Sequence, residues 1–150
     1  TAAVNVLLHQ MADLPEQTGL PHRLNWLNRR ISPYIDEGAF AAAIGFELDF
    51  TSAELRYASA GINHFLHNGE RIDVEGLYLG VRENEAYDQH RRSLLKGDAV
   101  CFMTDGISDI FDRENSWGTI QANELIQHFD GGSLSEQFQD DATAICIEIR

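Results

Sequence analysis

Two stretches of the sequence combine carboxylates with apolar strands. Ala99–Thr104 is a continuous apolar run, the pattern of a buried central strand, and it ends directly in Asp105-Gly106. Asp140-Asp141 immediately precedes Ala142–Arg150, in which Thr143, Ile145, Ile147 and Ile149 alternate onto one face. If these strands are antiparallel neighbours, the end of one lies beside the start of the other. Asp105 and Asp140 then meet at one edge of a sheet. Two carboxylates at close range repel unless one takes up a proton or both share a cation. A hard divalent cation, which takes oxygen ligands, is the natural resolution. Gly106 would let backbone or ligand come close. Asp and Gly also flank strands simply as turn residues, so spacing by itself leaves both readings open. Asp109, Asp112, Glu114, Glu136 and Asp141 add acids to the same third of the chain.

Other residues compete less well for a chemical role. A calcium loop over Asp105, Asp109, Asp112 and Glu114 is a remote alternative. An EF-hand needs alternating ligand positions with glycine at the sixth, and here Gly106 stands second. His64 and His67 flank an apolar pair and read as surface residues of a hairpin; His9, His22, His90 and His128 share no spacing. Arg91-Arg92 either meets phosphate, which Arg pairs with well, or keeps an edge strand soluble. No Ser-His-Asp or Cys-His pattern offers a side-chain nucleophile. Cys101 and Cys146 each sit inside an apolar strand and read as two small buried hydrophobes. Two cysteines are too few for a tetrahedral zinc site, and a reducing cytosol is the expected setting.

The elements that must position these residues follow from periodicity. Ala3, Val4, Leu7, Leu8 and Met11 make a helical face over Ala2–Ala12. Pro21 opens a second helix, with Leu20, Leu24, Leu27 and Ile31 on one stripe and Pro33 ending it. From Phe40 to Phe50 the period becomes two: one face is bulky and apolar, the other small and then acidic. That predicts a strand covered on both sides at its start and emerging into water at its end. Leu55–Ser59 returns as its antiparallel partner. Asn68-Gly69 between His64–His67 and Glu70–Val74 predicts a type I′ hairpin. Tyr87–Leu94 reads as a charged strand near an edge, and Gln121–His128 as a short helix. The sum is an α+β domain without a second domain or linker. At 150 residues it is of ordinary domain size. No run reaches the ~18 apolar residues of a membrane span. A net charge of −13 argues against nucleic acid and anionic membrane as partners.

Several short motifs, in order, resemble the stage II sporulation protein E-like branch of the protein phosphatase 2C superfamily. Leu94–Asp109 is similar to that family's turn, hydrophobic strand and Thr-Asp-Gly; Asp140-Asp141-Ala142-Thr143 resembles its closing Asp-Asp-x-Thr strand. Trp117-Gly118 resembles the Phe-Gly element, Tyr57–Asn63 the strand ending in Ala-Gly-His-Asn with Ile62 in place of His, and Leu77–Val81 the Leu-Pro-Leu-Gly segment. The resemblance implies a four-layer α-β-β-α sandwich of mainly antiparallel sheets. It implies hydrolysis of phosphoserine or phosphothreonine by a water between two Mn²⁺ or Mg²⁺ ions. Asp105 and Asp140 would each ligate a metal, with Asp109, Asp141 and Gly106 beside them. It also implies a cytoplasmic bacterial signalling enzyme. Its partner would be a phosphorylated regulatory protein such as an anti-anti-sigma factor, and a sensor or receiver domain would lie upstream.

The family's early Asp and its Asp-x-x-Gly-His-Gly motif do not occur in these residues. Residues 1–150 therefore read as a single domain, the C-terminal two-thirds of the catalytic unit, inactive by itself. The span between His128 and Asp140 is shorter than the family's usual one. A catalytically inactive adaptor on the same fold is the alternative from a different functional class.

Overall fold

The stripe Leu20, Leu24, Leu27 and Ile31 organises the first helical pair. All four are buried along α2 (Leu20–Ile31), and Leu7 of α1 (Ala2–Ala12) joins them in one core cluster. The computed structural model describes residues 2–15, 17–35, 38–114 and 143–150. α2 starts one residue before Pro21, which sits in the first turn where a missing N–H leaves no bond unmade. α2 stops at Ile31, two residues before Pro33, as expected, and a 3-10 turn follows over Ser32–Tyr34. Arg23 ties the link between the helices. Its guanidinium donates to the carbonyls of Met11 (2.8 Å), Thr18 (2.8 Å) and Pro15 (3.1 Å). The Met11 carbonyl lies in the last turn of α1, where no intrahelical donor is available.

After the helices, the described residues form β1 (Ala43–Asp49), β2 (Glu54–Ala60), β3 (His64–His67), β4 (Glu70–Asp73), β5 (His90–Ser93), β6 (Ala99–Met103), α3 (Asp105–Glu114) and β7 (Ala144–Glu148). Two antiparallel sheets result, with strand orders β1-β2-β5 and β4-β3-β6-β7. The fold is α+β, as the periodicity predicts. The chain divides into two compact units, Thr1–Asn63 with Val74–Ser93 and His64–Asp73 with Leu94–Arg150.

In the first unit the small face of β1 has a clear purpose. A Cβ on Gly45 would stand 3.2 Å from Leu20 Cδ2, and Ala58 and Ala60 of β2 belong to the core around α2. Small residues let the helix approach the sheet. Further along the same face come Glu47 and Asp49, opposite Arg56 and Glu54. Arg56 contacts Asp49 at 3.1 Å and Glu54 at 2.8 Å, with each side chain a quarter to a third exposed. Such surface pairs add little stability. Asn28 is the buried polar exception in α2. Its side chain donates to the carbonyls of Arg82 (2.7 Å) and Glu83 (3.1 Å) and accepts from the Gly80 N–H (2.7 Å). A buried amide is stable only when paired in this way. Tyr87 is also buried, and that burial, helped by Glu85, pushes its hydroxyl pKa up to about 12.

In the second unit Asn68 and Gly69 both take positive φ (53° and 80°), the backbone a type I′ turn requires. Asn68 also fastens the turn to the start of β6. Its backbone N–H donates to the Ala99 carbonyl (2.8 Å) and its side chain accepts from the Ala99 N–H (2.8 Å). Its amide donates to Asp98 (2.9 Å), which also accepts from the Leu95 N–H (2.8 Å) and faces His67 Nε2 at 3.1 Å. These bonds, that from Asn68 foremost, hold the Asp98 carboxyl below its usual pKa. A carboxyl lowered by folding stabilises the protein above its unfolded pKa, and that contribution disappears as pH falls through the lowered value. Asp98→Asn is expected to cost about 1 kcal/mol at neutral pH. It should also flatten the stability loss below about pH 4, read from urea midpoints at a series of pH values.

Four expectations need correction or extension here. His64 is buried in β3 rather than a surface residue, and His67 is half-buried against Asp98. Cys101 and Cys146 stand directly opposite each other across β6 and β7 and are joined as a disulfide, so they are not two unlinked thiols and the reducing setting expected from them loses its basis. The strand read over Tyr87–Leu94 is shorter, His90–Ser93, and lies at the end of its sheet. The helix α3 was not anticipated. The helix predicted over Gln121–His128, together with Trp117-Gly118, lies outside the described residues. No helix among the described residues is long and apolar enough to cross a membrane.

Candidate metal site

The site is built where β6 hands over to α3. Met103 pairs with Ala144 at the end of the β6–β7 ladder. The pairing then runs one step past the regular strands. The Thr104 N–H donates to the Thr143 carbonyl (2.9 Å), and the Thr143 N–H donates to Thr104 Oγ1 (2.9 Å). The end of one apolar strand therefore does lie beside the start of the other, as the sequence pattern required. Asp105 follows Thr104 directly. Asp140 and Asp141, which precede Thr143 by three and two residues, lie outside the described residues.

Asp105 is the first residue of α3 and is exposed. Its Oδ1 accepts from the Gly106 N–H at 3.1 Å, and its carbonyl accepts from Ser108 Oγ at 3.2 Å. Gly106, Ile107 and Ser108 are buried, so the turn beneath the carboxylate is anchored. The helix N-terminus favours negative charge. Asp109, also exposed, is four residues further on and therefore on the same helix face, with about 5–6 Å between such Cβ atoms. Of the five residues singled out in the sequence, the structure thus brings together Asp105, Gly106 and Asp109.

The donor set fits a hard cation in kind. Asp105 and Asp109 offer carboxylate oxygens, and Mg²⁺ is often held by one or two carboxylates while keeping several waters. Among the described residues there is no group of three or more His, Cys, Asp or Glu that could hold a metal ion. Remaining ligands would have to come from elsewhere in the protein.

Sequence reasoning overlooked Thr104 and α3. A usable signal was present: a Thr-Asp pair followed by Ile107, Ile110 and Phe111 at helical spacing is a helix-start pattern. The carbonyl of Thr104 accepts from the N–H groups of Ile107 (3.0 Å) and Ser108 (3.2 Å), closing the first turn. The segments resembling Ala-Gly-His-Asn and Leu-Pro-Leu-Gly both fall in the first unit, where they touch. Gly61 has φ +95°, and a Cβ there would meet the Tyr78 ring at 2.3 Å. Its N–H donates to the Gly76 carbonyl at 3.0 Å.

Solved structures define the fold class. The phosphatase 2C domain of the Bacillus subtilis cell-fate determinant SpoIIE, solved with a fragment of its regulatory domain, matches with a TM-score of 0.73 at 15% identity. The match covers 97% of this chain and 48% of that one. RsbX, crystallised in complex with magnesium, matches with a TM-score of 0.66 at 21% identity, over 97% of this chain and 70% of that one. The fold is that of phosphatase 2C domains. The family model for stage II sporulation protein E matches residues 1–150, and the chain belongs to that family. Among curated proteins, phosphoserine phosphatase RsbU of Bacillus subtilis (strain 168) is 25% identical over 113 residues. Those residues are 71% of this chain and only 34% of RsbU, so the chain spans about a third of that relative.

Proposed function

We propose that the protein is a divalent-metal-dependent phosphatase that removes phosphate from serine or threonine of a regulatory protein. The observation that carries this is the Thr104–Thr143 junction. It makes the strand leading into Asp105 and the strand following Asp140-Asp141 antiparallel neighbours, in a chain of the stage II sporulation protein E family. In this reading the 150 residues are part of one catalytic domain with layered sheets and outer helices, of which they form the C-terminal two-thirds. Asp105 and Asp140 would hold the metal, with Asp109 and Asp141 beside them and Gly106 keeping the approach clear. Bound Mn²⁺ or Mg²⁺, two ions in the complete domain, supplies an activated water and offsets the charge of the phosphate. The chain's own residues then need only hold carboxylates in place, which accords with the lack of a Ser-His-Asp or Cys-His arrangement in the sequence.

The name of RsbU and the magnesium in the RsbX crystals support the activity and the metal class. A phosphorylated partner-switching protein of the anti-anti-sigma type is the substrate this favours, with a sensor or receiver domain upstream. The test is hydrolysis of p-nitrophenyl phosphate and of a phosphoserine peptide by the full-length protein with Mn²⁺. Activity is expected to vanish with EDTA and to return when Mn²⁺ is restored. A protein that binds no Mn²⁺ and turns over neither substrate would instead be an adaptor on a phosphatase fold.

A further inference from the structure

We infer that Asn68 is a site of spontaneous covalent modification: the folded β3–β4 hairpin keeps its side-chain amide unreactive, and the amide is converted to a carboxylate when the turn opens. This holds whatever reaction the protein catalyses. The chemistry is that of an asparagine followed by a glycine. The backbone nitrogen of Gly69 attacks Cγ of Asn68, a new C–N bond closes a succinimide ring, and the side-chain nitrogen leaves as ammonia. Water then opens the ring at either carbonyl and leaves Asp or isoAsp at position 68. The net change is Asn plus water to a carboxylate plus ammonia, so no oxidant, reductant or cofactor takes part. Glycine hinders the attack least, because it has no Cβ. The turn itself demands this neighbour: Asn68 and Gly69 both stand at positive φ, 53° and 80°. The geometry of a two-residue loop thus builds in a reactive pair.

Three hydrogen bonds restrain that pair in the folded protein. Asn68 Oδ1 accepts from the Ala99 N–H at 2.8 Å, and Nδ2 donates to Asp98 Oδ1 at 2.9 Å. The Asn68 backbone N–H donates to the Ala99 carbonyl at 2.8 Å. Asp98 is itself fixed, by the Leu95 N–H at 2.8 Å and against His67 Nε2 at 3.1 Å. The side-chain amide must leave these partners before its carbon can turn to the Gly69 nitrogen, so reaction requires a local opening of the hairpin. The product does not fit back. A carboxylate at position 68 has an oxygen where Nδ2 now donates, and it would face the Asp98 carboxylate across the same 2.9 Å. The Asp98 side chain is only 13% exposed, so water screens this repulsion poorly. One of the two must take up a proton, or the turn must stay open. IsoAsp also adds a carbon to the backbone and spoils the two-residue turn. Opening permits the modification, and the modification then opposes closing.

The experiment incubates the full-length protein at neutral pH, folded in buffer and unfolded in urea, and follows position 68 by peptide mapping and mass spectrometry. Conversion is expected to be about a hundredfold slower in buffer, a ratio set by how rarely the turn opens. Asn68→Asp stands for the product. It is expected to lower the folding equilibrium constant by about tenfold to a hundredfold, the scale of a lost hydrogen bond to a charged group. Adding Asp98→Asn to the Asn68→Asp chain should recover part of that loss, because an amide at 98 can donate to the carboxylate at 68. Equal conversion rates in buffer and urea overturn the inference, as does an Asn68→Asp protein as stable as wild type. A double variant no more stable than Asn68→Asp alone overturns the part given to Asp98.

Discussion

Asp105→Asn in the full-length protein is expected to lower Mn²⁺-dependent hydrolysis of p-nitrophenyl phosphate by about two to three orders of magnitude, the usual scale for removing a group that stabilises charge in the reacting centre. The fold should survive the change. Asp105 is exposed, and its carboxylate accepts one bond, from the Gly106 N–H, which an amide oxygen can accept equally well. The substitution removes a charge at the start of α3, where the helix dipole favours it, so a loss of about 0.5 kcal/mol in stability is the expected side effect. Asn also keeps a neutral oxygen in the same place, so any large fall in turnover reports the missing charge and not a missing shape. A circular-dichroism melt beside the assay separates the two effects. Unchanged turnover with intact folding would remove Asp105 from the site and with it the main reason for placing a metal there.

The largest stability effect is expected in the first unit, at Gly76→Ala. A Cβ at this position would lie 2.0 Å from the Ser59 carbonyl oxygen and 2.6 Å from its carbonyl carbon. Both are backbone atoms of β2, and Ser59 and Ala60 are themselves buried at 1% and 0% exposure. No side-chain rotation can relieve this contact, so β2 or the segment around Gly76 has to move. Overpacking of this kind costs typically ~1–3 kcal/mol and more when backbone must shift. About 3 kcal/mol is a large share of the ~5–15 kcal/mol that a domain of this kind possesses. Gly97→Ala is the useful contrast. Gly97 has φ +93° but open space around its Cα, so the change adds left-handed backbone strain of ~1 kcal/mol without a clash. Urea unfolding of both variants should rank Gly76→Ala well below Gly97→Ala; equal midpoints would mean that β2 and the 74–78 segment do not cross so closely.

The sequence was most informative where one local rule decides the structure. The stripe on α2 and the Asn68-Gly69 turn follow from helical spacing and from the two positive φ angles, with no need of tertiary knowledge. The two-faced character of β1 was also readable, because alternation of small and large residues states how close a neighbour may come. What was hidden depended on register or on competition. The Cys101–Cys146 bridge requires knowing that these residues are directly opposed, and a one-residue slip between β6 and β7 would turn them to opposite faces. His64 looked like a surface residue because histidine in a hairpin usually is one; its burial is set by the sheet and not by its neighbours in sequence. α3 was concealed by its acids, which drew Asp105, Asp109, Asp112 and Glu114 into a ligand pattern when Ile107, Ile110 and Phe111 were already marking a helix. The site was half legible for a related reason. Carboxylates next to apolar strands are visible in a string of letters, but the hydroxyl that joins the strands is not.

The disulfide between β6 and β7 closes a stretch of chain with a sequence separation of 45. A crosslink of that span restricts the unfolded chain by an amount that loop-entropy reasoning puts at roughly 4 kcal/mol. Its other effect is local. Cys101 and Cys146 are opposed in register, so the bond holds the pairing of β6 with β7 in step. Thr104, Asp105 and Thr143 all lie within four residues of one sulfur or the other, so the bridge staples the two strands directly beside the junction that carries Asp105.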